Sequence, residues 1–391
     1  MPAPSVALSL FGVQFGTLIV ALGFTKATSL WRPALLPILF LVPYLQLPHL
    51  DAITYAPARG VLGGATIFTV VLYVATVLVH KFSYIAQGPT SSAGGLVPAR
   101  KDELSAGQQR NGNSGRVLSR LRFGLEIGAG ARFAATKWPV NNIPPFSRDD
   151  PNFIPTKAGF QRSLAPKVVL SWLLLMALNF VPPNNDSQTS FASRRIPILS
   201  RLDAVGSEEI YTRFGAVVGY WLVQYILHIA VHGSMAMAAV ALGFEVAAWP
   251  PIFGAAMDCY TIRRFWGRFW HQSLRHGCSS IAYAATYHGL SLRRRGIVGR
   301  YVFTLLTFTV SGIFHVLLDI AQGIPWNETG ALRFFTMQTL GIMLEDFIVT
   351  QFRLARGSRI NTTLLKILGR GSGKPAASLH PSYHFLSLSL P

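Results

Sequence analysis

The sequence predicts an all-α fold, a polytopic bundle of transmembrane helices. Of 391 residues, 50% are hydrophobic and only 13% charged, whereas soluble domains carry about 25% charge. Apolar stretches long enough to cross about 30 Å of hydrocarbon recur along the chain. The formal net charge of +19 is gathered between those stretches, as in cytoplasmic membrane loops.

The first predicted span, 5–24, has no basic segment ahead of it and is long for a cleaved signal peptide, so it reads as a retained anchor. Further spans are predicted at 33–50, 61–80, 167–181, 214–244, 297–320 and 331–352. The loops 81–166 and 258–300 are rich in Arg and Lys and are expected in the cytosol. The loop 182–213 balances Arg194, Arg195 and Arg201 against Asp186, Asp203, Glu208 and Glu209, which suits the lumenal side. One crossing must then separate Arg213 from Arg263. The run 214–244 is long for one helix and contains Gly233, so it reads as a tilted span or as a span plus a re-entrant half. About seven crossings, with eight also compatible, leave the N-terminus lumenal and the tail cytosolic. The sequons at Asn185 and Asn361 fall on opposite sides in this scheme.

The chain divides into N-terminal transmembrane helices (1–80), a cytosolic loop (81–166), a core (167–352) and a cytosolic tail (353–391). Within the loop, 87–114 is Gly- and Ser-rich and reads as flexible. The segment 117–137 spaces Leu118, Leu121, Phe123, Leu125 and Ile127 among arginines, as an amphipathic helix on the membrane surface does. No internal repeat stands out.

The flanking of spans by basic residues argues against nucleic acid as partner and for membrane lipids. Two cysteines, Cys259 and Cys278, argue against a disulfide framework or a thiolate metal cluster. No G-x-S-x-G, P-loop or dinucleotide-binding glycine pattern is present.

Two segments carry the chemistry. Between Asp258 and Asp319 no acidic residue occurs, while Arg263, Arg264, Arg268, Arg275, Arg293, Arg294, Arg295 and Arg300 all do. Such a loop offers phosphate bidentate partners without a competing carboxylate, or it is a topology-setting charge cluster. Trp266 and Trp270, four apart, would share one helical face and Arg264 and Arg268 another; interfacial anchoring gives the same pattern. The second segment is Ser311-Gly312-Ile313-Phe314-His315, with a titratable ring deep in an apolar span. Intramembrane ionisable groups point to function, and a neutral imidazole accepts a hydroxyl proton near neutral pH. The other reading is a histidine bonded to a neighbouring helix. His228 and His232 at i, i+4 admit haem or metal ligation but lack the intervening glutamate of H-E-x-x-H. Glu345-Asp346 in an apolar span reads as a tunnel wall or as an arginine partner.

Four pieces in order resemble the wax-synthase-like branch of the membrane-bound O-acyltransferases, particularly the fungal acetyltransferases of secondary-metabolite clusters. Trp138-Pro139-Val140-Asn141-Asn142-Ile143-Pro144-Pro145 is similar to W-x-V-x-N-x-P-P, and Trp249-Pro250-Pro251-Ile252-Phe253-Gly254 to W-P-P-L-F-G. Phe265-Trp266-Gly267-Arg268-Phe269-Trp270-His271 is similar to F-W-G-R-x-W-H, and residues 311–315 to S-G-x-x-H, followed by the acidic pair. The match runs from about Val117 to Phe352. Members usually continue into a further membrane segment after the acidic pair, which the short Ser/Leu tail leaves unmatched.

The resemblance implies a multi-helix fold with an internal tunnel, entered by acyl-CoA from the cytosol and by an alcohol from the bilayer or lumen. It implies His315 as catalytic base and His271 as the second polar position. Arg264, Arg268, Arg275, Trp266 and Trp270 would form the coenzyme site, with acyl-CoA as co-substrate and no metal. The expected activity is an endoplasmic-reticulum O-acyltransferase that moves acetyl from acetyl-CoA to a lipophilic alcohol such as a terpenoid. Long-chain wax ester synthesis, or a transporter without enzymatic activity, are the alternatives.

Overall fold

The computed structural model describes residues 2–87, 113–136, 138–178, 180 and 199–356. The linker from 88 to 112, most of the 182–213 loop, both sequons and the tail beyond 356 lie outside the described residues. Those described are helical, without a strand. In chain order the helices are α1 (Pro4–Phe24), α2 (Trp31–Ala34), α3 (Leu36–Leu50), α4 (Ala56–Tyr73), α5 (Tyr84–Gln87) and α6 (Asn113–Ala129), then α7 (Lys157–Leu178), α8 (Ser207–Ala241), α9 (Arg275–Tyr283), α10 (Ile297–Ala321) and α11 (Ala331–Arg356). Among the described residues, five helices are long and apolar enough to cross a membrane, namely Pro4–Phe24, Trp31–Leu50, Ala56–Ala86, Ser207–Ala241 and Ile297–Ala321. The spans expected at 167–181 and 331–352 are helical, as α7 and α11, without being among the five.

The chain forms two compact units, one of residues 1–145 with 253–391 and one of residues 146–252. In the smaller unit, α7 packs antiparallel on α8 through Leu175, Ile226 and Ala230. The run at 214–244 is one continuous helix from Ser207, neither broken nor re-entrant. Gly233 serves packing instead, because a Cβ there would lie 2.4 Å from the side chain of Val168. Small residues let helices approach closely. Helix α7 begins ten residues before the expected span and runs through Pro166.

In the larger unit, glutamines reach across between the first helices. Gln14 donates to the carbonyl of Leu39 at 3.1 Å and Gln46 to that of Ala7 at 2.8 Å. Arg32 is fully buried and ties three chain ends together. Its guanidinium donates to Thr25 Oγ1 at 2.7 Å and to the carbonyls of Ala21, Val77 and Phe82 at 3.2, 3.3 and 2.8 Å. The amphipathic helix α6 lies along α1, burying Phe123 and Ile127. Gly124 makes room, since its Cβ would meet the carbonyl of Ile19 at 2.5 Å. Phe123 and Ile127 of its apolar stripe are thus spent on α1, while Leu118 and Leu121 stay exposed.

A local device occurs twice that the sequence did not reveal. Both α4 and α9 widen into π-helical turns, Val74–Val79 and Ala284–Gly289. Each contains an Ala-Thr pair and is followed two residues later by one with left-handed backbone, Lys81 at φ 54° and Ser291 at φ 53°. The next amide returns to the threonine carbonyl, Phe82 to Thr76 and Leu292 to Thr286. Such turns commonly mark functional sites.

Replacing Arg32 with Met should lower the stability of the detergent-solubilised protein by at least about 2 kcal/mol, because several buried carbonyls lose a charged donor. Thermal unfolding followed by size-exclusion chromatography measures it, and an unchanged midpoint would refute this role.

Candidate active site

Helix α10 carries His315 in its lower half. The imidazole Nδ1–H donates to the carbonyl of Ser311 at 2.7 Å, which assigns the lone pair to Nε2. The ring stacks on Phe335 of α11 with centroids 4.3 Å apart and lies 5.1 Å from that of Phe314. The two helices approach closely at Gly312, where a Cβ would stand 3.0 Å from Leu332 Cα.

Above this point the α10–α11 seam is filled by the arginine-tryptophan segment. At the upper end, Glu345 of α11 accepts from the backbone amides of Ile262 and Arg263. Asp346 accepts from Arg263 at 2.7 Å and from the Tyr301 hydroxyl at 3.0 Å, with Arg300 at 3.5 Å. Lower down, Ile262 and Trp266 pack on Phe308, Phe335 and Ile342, and Trp266 Nε1 donates to Gln338 at 3.1 Å. The rings of Trp266 and Phe335 are 5.5 Å apart. The segment thus descends from the level of Arg300 to the ring that stacks on His315. Arg300 and His315 stand about 22 Å apart along the α10 axis, at 1.5 Å per residue.

The expected α-helical face holds only in part. Residues Phe265–Phe269 form a π-helical turn, and Trp270 leaves it in extended backbone. The tryptophans still meet, at 6.5 Å, and Trp270 packs on Phe253 at 5.2 Å. Arg264 and Arg268 do not share a partner. Arg264 pairs with Asp258 at 2.8 Å and lies over Tyr260, whereas Arg268 is exposed. Gly254 is obligatory beside the turn, because a Cβ there would lie 2.1 Å from the Arg268 carbonyl. The loop also has competing carboxylates after all, Asp258 at its edge and Asp346 from α11. A search of the interval alone could not show the second. Arg268, Arg293, Arg294 and Arg295 are exposed and make no ion pair among the described residues.

His271 follows the turn, its ring 5.3 Å from Trp270 and 6.3 Å from Phe253. Arg275 holds this stretch. Its Nη1 donates to the carbonyls of Asn141 at 2.7 Å and Gly267 at 3.2 Å and to Gln272 Oε1 at 2.6 Å. Asn142, with φ 62°, donates to the same Gly267 carbonyl at 3.0 Å. Burial pushes the Arg275 guanidinium down to about 10, so it stays cationic at neutral pH. The segment 138–145 and the turn are thus docked by side chains of both. His271 and His315 are linked through the rings of Trp270, Trp266 and Phe335.

A buried histidine pair escaped the sequence reading. His276 packs against Phe133 at 4.4 Å and His80 at 5.0 Å, and His80 shares a 2.8 Å hydrogen bond with Ser280. Neither ring nitrogen of His276 has a partner among the described residues. Burial and the neighbouring His80 push its pKa down to about 3. The signal available was position alone, one residue after Arg275. In the smaller unit, His228 Nδ1 bonds the Gln224 carbonyl at 2.7 Å and His232 lies 5.6 Å from Trp249. Among the described residues, no three His, Cys, Asp or Glu side chains cluster to hold a metal.

A family model described as the membrane bound O-acyl transferase family matches residues 249–337, the stretch from the tryptophan-proline motif through His315 to α11. The chain is 38% identical over 384 residues to the acetyltransferase fsoF of Humicola fuscoatra, covering 94% of this chain and 91% of that protein. It is 35% identical over 339 residues to the acetyltransferase aurG of Calcarisporium arbuscula, covering 85% and 81%. The O-mevalon transferase yanI of Aspergillus niger is 27% identical over 254 residues, covering 59% and 53%. No solved structure matches the chain.

His276 generates a pH prediction. Its folded pKa of about 3 lies below the ordinary 6.5, so the unfolded chain binds the proton more readily. Stability should therefore fall as pH drops below 6.5, by up to about 1.4 kcal/mol per unit. Melting midpoints taken between neutral and acid pH should flatten in His276→Phe; an identical slope in both proteins would contradict the assignment.

Proposed function

The chain belongs to the membrane bound O-acyl transferase family and is a membrane O-acyltransferase; from that premise we propose that it moves an acetyl group from acetyl-CoA to a hydroxyl of a lipophilic secondary metabolite such as a terpenoid. The observation that carries the reading is the descent of the arginine-tryptophan turn along α10 and α11 onto Phe335, the ring stacked on His315. It joins an exposed cationic mouth to a base inside the bundle. The names of the two acetyltransferases above favour acetyl over long-chain transfer.

In this reading His315 is the general base. Its Nδ1 is committed to Ser311, which leaves Nε2 as the acceptor. The alcohol gives its proton to Nε2 as its oxygen attacks the thioester carbon. The carbon–sulfur bond then breaks, and the coenzyme thiolate recovers the proton from the imidazolium. Atoms and charge balance without a covalent acyl-enzyme or a metal. His271 orients the substrates or polarises the thioester carbonyl. Arg264 and Arg268 hold the donor's phosphates at the cytosolic mouth, and Trp266 and Trp270 wall its path. Arg275, whose Nη1 serves Asn141, Gly267 and Gln272, acts on the donor through the turn it clamps. The endoplasmic reticulum is the proposed membrane.

Two substitutions test this assignment in microsomes expressing the chain. His315→Ala should cut acetyl transfer about 10²–10⁴-fold at undiminished protein level; retention of half the activity would dismiss His315 as the base. Arg268→Ala should raise the KM for acetyl-CoA about 10- to 100-fold, the worth of one charge-assisted bond, and leave the alcohol KM unmoved. The reverse pattern would exchange the two substrate entrances.

A further inference from the structure

The carboxylates of α11 do different work. Asp346 pairs with side chains, Arg263 and Arg300. Glu345 instead reaches the main chain, accepting from the amides of Ile262 and Arg263 at the start of the turn. Thr261 completes the start by accepting from the amide of Arg264 at 3.0 Å. Three successive amides at the head of the segment are thereby satisfied, and the head is fixed to α11. Just below, a Cβ on Gly341 would lie 2.5 Å from Ile262 Cδ1, so the turn sits against the helix backbone. Farther down α11, Gln338 holds Trp266 and Phe335 stacks on His315. One helix thus grips both the mouth of the donor path and the base.

We propose that Glu345 is a positioning residue that sets the register of the donor-binding turn against His315. It touches neither substrate. It acts by holding Ile262 and Arg263, and through them Trp266 and Arg268, at a fixed depth along α11. A carboxylate is the side chain that accepts two adjacent amides at once, and its cost inside an apolar helix is offset by those two donors. The inference rests on the acetyltransferase reading for its ligand and not for its geometry.

The test uses the full chain in nanodiscs and two readouts. Cys259 lies three residues before Ile262 and is partly accessible, while Cys278 is buried, so maleimide labelling reports on the head of the turn. Labelled acetyl-CoA reports on the donor site. Glu345→Ala should speed Cys259 labelling and weaken acetyl-CoA binding about tenfold or more, the loss of a charge-assisted bond. Glu345→Gln, whose amide oxygen still accepts an amide, should recover most of both. Asp346→Asn, which weakens only side-chain pairs, should speed Cys259 labelling less than Glu345→Ala does. Wild-type behaviour of Glu345→Ala in both readouts would overturn the proposal, as would equal damage from Ala and Gln at an unchanged melting midpoint. If the wild type fails to bind acetyl-CoA while Cys259 labelling responds as expected, the positioning role stands and the donor assignment falls.

Discussion

The close antiparallel packing of α10 against α11 is the constraint on which the rest of the site depends. It exists because residue 312 is glycine, with Leu332 Cα near where a Cβ would be. In hydrocarbon no hydrophobic force draws helices together, so contact between small residues and the backbone decides which helices pack. That contact brings Phe335 onto His315. It also builds a continuous wall, from Arg300 and Asp346 down to His315, against which residues 262–270 can lie. Aromatic pairs in offset or edge geometry add about 0.5–1.5 kcal/mol each beyond burial, and the turn makes several.

Electrostatics divides the arginines by role. Those with acceptors on the protein, Arg263, Arg264 and Arg275, build the turn, and Arg264 alone of these is also proposed to face the donor's phosphates. Arg268 and the run Arg293 to Arg295 remain exposed and set the sign of the mouth. The division follows from desolvation, since a buried guanidinium needs its hydrogen bonds filled, whereas an exposed one can wait for an anion. Arg32 obeys the same rule on the N-terminal helices, where carbonyls rather than carboxylates surround it.

The fold class was legible because it rests on a local property, and the two segments to which chemistry is assigned stand out in the sequence for the same kind of reason. Apolar run length gives helices, and a histidine within such a run stands out by its cost. What was not legible involves partners far apart in sequence. Glu345 meets Ile262 across 83 residues and Arg275 meets Asn141 across 134, and neither pairing leaves a periodic trace. The α-helical register of residues 265–270 was misread because π-helical turns have no composition signal distinct from α-helix. Gly233 left a tilted span and a broken one both open, because a glycine that permits helix contact looks the same as one that ends a helix. His276 was missed because nothing near it in sequence hints at His80 and Phe133, which enclose it.

The central claim is that a donor entering along residues 262–270 delivers its thioester to His315. An electron cryo-microscopy structure of the protein in nanodiscs with acetyl-CoA would test it most directly. The account predicts the diphosphate beside Arg268 and the thioester carbon close enough to the base that an alcohol oxygen fits between them, about 2.6–3.2 Å from Nε2 and about 3–3.5 Å from the carbon. A thioester lodged away from the α10–α11 seam, with His315 Nε2 turned from it, would contradict the account.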